Sequence, residues 1–189
     1  ASSSLSETLS DVRELMGHPA FSIRNPNKVR ALIGAFCAGN QLRFHAADGG
    51  GYEFLADQVI RLIYDFATDH VYPAANPTEG ERLSVAAVGG YGRGELAPYS
   101  DIDLLFVLPY KETARQEQVI EYMLYMLWDL KLKVGQATRS VDDCVRLARG
   151  DLTIRTAMLE TRYLWGDKKL FNELRRRFYA EVADESGPE

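Results

Sequence analysis

A chain of 189 residues, 46% hydrophobic and 26% charged, is long enough for one well-packed domain or a small domain with a helical appendage. Its net charge of −5 argues against sequence-independent nucleic-acid binding, which needs a basic surplus. It leaves a nucleotide substrate open, because a bound metal can supply positive charge locally.

No apolar run nears the roughly 18 residues that a membrane span needs, and the start ASSSLSETLSD lacks the pattern of a signal peptide. Cys37 and Cys144 give neither a disulfide framework nor a zinc spacing, and are expected as reduced thiols in a cytoplasmic protein. The serine-rich start and the end ADESGPE are those expected of one domain of a longer protein.

In chain order, the first eighty residues predict helices, so residues 1–80 are expected as an N-terminal helical region ahead of a core over 81–189. Leu5, Leu9, Val12 and Met16 recur at helical spacing until Gly17 and Pro19 stop the run. Asn25-Pro26 starts a second helix with Val29, Leu32, Ile33 and Phe36 on its apolar stripe. After Gly49, Gly50 and Gly51 a longer helix is expected to bury Phe54, Leu55, Val59, Leu62, Ile63 and Phe66. Asn76-Pro77-Thr78-Glu79-Gly80 is the best internal boundary. Beyond it, Leu83 to Val88 predicts a short strand and Ile102 to Leu108 a strand buried on both faces. A helix over Thr113 to Trp128 and an alternating strand over Leu130 to Val134 follow. Two short helices, Val141 to Ala148 and Leu152 to Leu159, a strand over Arg162 to Trp165 and a helix over Asp167 to Ala180 complete a strand–helix alternation on a mixed or parallel sheet.

The chemistry concentrates in VAAVGGYGRGELAPYSDIDLLFVLP, Val85 to Pro109. Gly89, Gly90, Gly92 and Gly94 are more glycines than a turn needs. A Rossmann site needs a helix of about a dozen residues before the chain returns as a strand. Here only seven positions separate Gly94 from Asp101, and Pro98 interrupts them. A Walker loop fails because no Gly-Lys-Ser/Thr follows. Asp101 and Asp103 alternate on one strand, so they project to the same side with Cα atoms about 6.6 Å apart. Two unpaired carboxylates beside an apolar strand are costly unless cations join them, and Mg²⁺ binds one or two carboxylates plus substrate phosphates. Glycine-loop amides and the Arg93 charge could hold the phosphates. The bland alternatives are a strand-mouth cap or salt bridge for the two Asp and a solvated loop arginine for Arg93.

Gly-Gly followed by Asp101-Ile102-Asp103 at the head of an apolar strand resembles the DNA polymerase β-like nucleotidyltransferase superfamily. VGGYGRGELAPYSDIDLLF, LWDLKLKVGQATRS and GDLTIRTAMLETRYLWGD are similar to the nucleotidyltransferase domain of the bifunctional uridylyltransferase/uridylyl-removing enzymes. That resemblance covers roughly Leu83 to Phe171. It implies an α+β fold, a mixed sheet flanked by helices, and UMP transfer from UTP to a tyrosine of the nitrogen-regulatory P-II protein. It further implies Mg²⁺ on Asp101 and Asp103, with Asp129 as third carboxylate and Glu160 in reserve, and nucleotide contacts from Gly89, Gly90, Gly92, Arg93 and Ser100. The superfamily more often has Gly-Ser where this chain has Gly89-Gly90, so a serine hydroxyl is missing. His18, His45 and His70 form no His-Asp metal pair, which fits transfer but not uridylyl removal. An adenylyl enzyme, or an idle nucleotide-binding module, remains the alternative.

Overall fold

The computed structural model describes residues 51–96, 100–130 and 132–183. The expected helices around Leu5–Met16 and Val29–Phe36 lie outside them, as do Cys37, His18, His45 and the side chains of Phe54 and Leu55.

Helix α1, Gly51–Phe66, continues through a wider turn at Ala67–Val71. After a short 3₁₀ turn at Glu79–Glu81 come β1 (Ser84–Ala87), a single helical turn α2 (Gly89–Gly92) and β2 (Ile102–Leu108). Then follow α3 (Ala114–Asp129), β3 (Val134–Ser140), α4 (Val141–Gly150), α5 (Leu152–Leu159), β4 (Arg162–Gly166) and α6 (Lys168–Phe178). The strands lie in the order β3-β2-β1-β4. β1 is antiparallel to β2 and β4, and β2 is parallel to β3, so the sheet is mixed and the fold α+β.

Side-chain alternation divides the core into two layers. Val85 and Ala87 of β1 and Ile102, Leu104, Phe106 and Leu108 of β2 pack on one face against α1 and α3. Ala86, Leu105 and Val107 pack on the other face against Val145 of α4, Met158 of α5 and Leu170, Phe171 and Leu174 of α6. Burial on both sides is why β2 reads as a continuous apolar run.

Local chemistry fixes the helix starts. Thr113 and Gln116 form a reciprocal capping box on α3. The buried Gln116 amide also donates to the Gly80 and Arg82 carbonyls, at 3.0 and 2.7 Å, tying α3 to the approach of β1. Ser140, Asp151 and Asp167 cap α4, α5 and α6 through their side-chain oxygens.

The alternating strand expected over Leu130 to Val134 is not there. Leu130 and Leu132 donate their amides back to Met126 and Leu127, closing the end of α3, and both leucines pack on the first core layer. Leu130 and Leu132 thus belong to the exit of α3, and the strand begins only at Val134. The strand proper is VGQATRS, an edge strand only partly buried along its length and therefore without strong alternation.

Candidate active site

The C-terminal end of β1 and the N-terminal ends of β2, β3 and β4 meet at one edge of the sheet. Ala87 lies opposite Leu104 and Arg162, Ile102 opposite Val134, and Asp103 opposite Gly135. Asp101 precedes β2 and is exposed, whereas Asp103, on the strand, is half-buried. Strand parity puts both on the side of Leu105 and Val107, the face covered by α4 and α6.

Asp103 is cramped. Burial first, then the neighbouring Asp101 charge, raise its pKa above the ordinary 3.8. A Cβ on Gly135 would collide with its Oδ1, and one on Gly89 would stand 3.3 Å from its Oδ2. Two glycines on adjacent segments therefore make room for this carboxylate. Gly135 was not singled out in the sequence; its signal, a glycine in a strand where another group approaches closely, was available.

Between β1 and β2 the glycines form α2 rather than an open loop. Gly89 has φ +60°, a conformation strained for any other residue, and turns the chain from β1 into the helix. The amides of Gly92, Arg93 and Glu95 donate to Val88, Gly89 and Gly90. Those of Gly89, Gly90 and Tyr91 are the first-turn donors that a helix leaves without internal acceptors. Gly92 is buried, and a Cβ there would run into the Glu160 carbonyl and lie 3.0 Å from that of Ala87. Both obstacles are backbone. Gly92→Ala is accordingly expected to destabilise the fold by about 3 kcal/mol, at the upper end of overpacking costs, read as a lowered midpoint in urea.

The turn is held from below by α1. Tyr91, fully buried, donates its hydroxyl to Asp57 Oδ1 at 2.6 Å. Arg162, at the start of β4, donates to both Asp57 oxygens at 2.7 and 3.1 Å, pairs with Glu53 at 2.9 Å, and reaches the Tyr91 carbonyl at 3.3 Å. Its guanidinium also lies 5.3 Å from the centre of the Tyr91 ring. Burial, followed by the Asp57 charge, pushes the Tyr91 hydroxyl pKa well above its ordinary value, so it stays a proton donor. None of these four residues was legible as part of the site.

Arg93 leaves the C-terminal end of α2 and is clamped by Glu95 at 2.8 Å and Glu160 at 2.9 Å. Its Nη2 lies near Gly90, 3.7 Å from where a Cβ would stand. Glu160 ends α5 and is engaged with this arginine. Asp129 is the exposed last residue of α3, five positions before β3, and Ser100 is exposed beside Asp101. Among the described residues no three His, Cys, Asp or Glu side chains form a group able to hold a metal ion. The His70 ring is tilted against Phe66 with centroids 5.5 Å apart. An open cleft of 740 Å³ begins at Gly92 and Arg93 and runs past Glu160 and Tyr163 to α6.

A family model described as a nucleotidyltransferase domain matches residues 75–164, which contain this whole edge. A second, described as a domain of unknown function with ARM repeats, matches residues 1–64. Among curated proteins, the bifunctional uridylyltransferase/uridylyl-removing enzyme of Rhodospirillum rubrum is 64% identical over 135 residues, 71% of this chain and 14% of that protein. The enzyme of the same name from Azospirillum brasilense is 64% identical over 136 residues, 72% of this chain and 15% of that protein. That from Phenylobacterium zucineum is 62% identical over 135 residues, 71% and 14% respectively. The matched stretch thus spans about one seventh of the length of these relatives. Residues 75–164 are a nucleotidyltransferase domain, and the chain belongs with the nucleotidyltransferase part of the bifunctional uridylyltransferase/uridylyl-removing enzymes.

Proposed function

We propose that this chain transfers UMP from UTP to a tyrosine hydroxyl of the P-II protein, releasing pyrophosphate, as a Mg²⁺-dependent cytoplasmic enzyme. The observation that carries the reading is Asp103 on β2, next to the Asp101 charge and against Gly89 at the first turn of a glycine helix. The relatives' names supply the uridylyl specificity.

The donor set fits a hard divalent cation. Both ligands are carboxylate oxygens, they repel each other, and Asp103 is partly withdrawn from water with no cationic side chain acting on it among the described residues. When bound there, Mg²⁺ would lower the pKa of the acceptor hydroxyl and offset charge on the departing pyrophosphate. The protein's own part is positioning. The Gly89, Gly90 and Tyr91 amides donate to phosphate oxygens, and Arg93, held by Glu95 and Glu160, adds a fixed positive charge at the other end of the turn. Ser100 can donate to the nucleotide beside Asp101. Asp129 is not grouped with Asp101 and Asp103 as a third ligand, so its proposed part is to orient the acceptor, and Glu160, occupied by Arg93, is the weaker choice for that role. The tyrosine oxygen attacks the α-phosphorus as the α–β anhydride bond breaks, pyrophosphate leaves with the bonding pair, and the tyrosine proton passes to water. Because the Tyr91–Asp57–Arg162 network sets the turn in place before substrate arrives, little reorganisation accompanies the charge shift.

The test is incubation with Mg²⁺, each α-labelled nucleoside triphosphate in turn, and a P-II protein. Label from UTP alone on a P-II tyrosine is the expected result. Label from ATP would establish an adenylyl enzyme instead, and no label with any nucleotide would sink the reading.

A further inference from the structure

We propose that the cleft between α2 and α6 receives the β- and γ-phosphates of the nucleotide, and hence the departing pyrophosphate, on Lys168 and Arg175. The inference rests on the nucleotidyl-transfer reading above.

The cleft lies on the side of the sheet toward which Asp101 and Asp103 project, since α6 covers that face and Phe171 belongs to both its core layer and the cleft lining. β4 stands two strand spacings, about 10 Å, from β2. The cleft opens at Gly92 and Arg93, at the end of α2 opposite Gly89, which stands against Asp103, so a triphosphate laid along α2 from Asp103 would lead into it. Lys168, Asn172 and Arg175 all line it, and spacings of four and three put them on one helix face.

Its charges are unequally committed. Arg162 is offset by Asp57 and Glu53, and Arg93 by Glu95 and Glu160. Lys168 and Arg175 have no carboxylate partner among the described residues; they rest on aromatic faces, Lys168 5.9 Å from the Tyr163 ring and Arg175 5.7 Å from that of Tyr179. Two uncompensated cations facing one cleft, in a chain of net charge −5, match a small, highly charged anion. An open cleft with exposed cations also suits a leaving group, which must depart after transfer.

Calorimetric titration of the chain with Mg²⁺-pyrophosphate tests this, with UMP as the second probe. Lys168→Gln and Arg175→Gln should each weaken pyrophosphate binding about five- to tenfold, roughly 1 to 1.4 kcal/mol, and together by the product. UMP affinity should not change, Arg176→Gln on the same helix should bind like the parent, and Lys168→Arg should restore binding. A double variant that binds pyrophosphate within twofold of the parent overturns the proposal, as does an equal loss in Arg176→Gln. If the parent transfers UMP while the double variant keeps its pyrophosphate affinity, this inference alone fails. If the parent neither transfers UMP nor binds pyrophosphate, the functional reading fails with it.

Discussion

Asp103→Asn is expected to slow transfer about a thousandfold while making the metal-free protein harder to melt. The carboxylate lies on β2 and is more enclosed than that of Asp101 just before the strand, with Gly89 and Gly135 cleared around it. Bound metal contributes several kcal/mol of charge stabilisation in the transition state; at 1.36 kcal/mol per tenfold, losing about 4 kcal/mol slows transfer roughly 10³-fold. UTP with Mg²⁺ should raise the melting temperature of the parent and not of the variant. In chelator the order reverses. The pKa of Asp103 is raised in the folded state, by burial and then by Asp101. A raised carboxyl pKa means that the folded form holds its proton more tightly than the unfolded form. Stability from this group is therefore fully present below the ordinary value of 3.8 and is lost as pH rises through the folded pKa. The neutral amide escapes that loss, so the metal-free variant should melt above the parent at pH 7, with the gap closing as the pH is taken down toward 3.8. A variant that melts lower than the parent at pH 7 in chelator would show that Asp103 is a structural acid with a partner, and would remove the metal-site reading.

The same residues show what a sequence can display. β2 was legible to the residue because an apolar run bounded by Asp101 and Pro109 has one interpretation, and the two-residue period then fixes where the carboxylates point. α5 was legible because Asp151 and Glu160 bracket a short apolar segment. β3 was hidden because an edge strand facing half into solvent needs no alternation, and two leucines anchoring a helix exit imitated the missing pattern. The support of the glycine turn was hidden for a different reason. Tyr91 and Asp57 are 34 residues apart, and Arg162 lies 105 residues beyond Asp57. No local period links them; only an acid at position 57, beside the apolar stripe of α1, hinted that something polar was buried there. α1, which falls within the helical region expected over residues 1–80, packs in the same core layer as Val85 and Leu104 and forms the floor of the site.

Asp57→Ala should consequently damage both stability and substrate binding from a position that touches neither carboxylate. The side chain is 10% exposed and accepts from Tyr91 and from both arms of Arg162. Removing one partner of a buried ion pair costs 3–5 kcal/mol; because Arg162 is 30% exposed and retains Glu53, a loss of about 3 kcal/mol, at the low end, is expected. For a chain of this size that lowers the melting temperature by roughly 6 to 12 °C. Tyr91→Phe keeps the ion pair and loses one hydrogen bond to a charged acceptor, so about 1.5 kcal/mol is expected. Arg162→Ala leaves Asp57 and Glu53 without their cation and should cost as much as Asp57→Ala. The double variant Asp57→Ala/Arg162→Ala should cost clearly less than the sum, because the second change removes a charge that the first had stranded. Strict additivity in that cycle would mean that the pair acts independently and does not hold the turn. Tyr91→Phe supplies the link to function. Its fold should survive at 25 °C, yet α2 loses its tether to α1, so the KM for UTP should rise more than kcat falls. An unchanged KM would show that the Gly89, Gly90 and Tyr91 amides keep their positions without the network, and that the phosphate cradle is built by Gly89 and Gly92 alone.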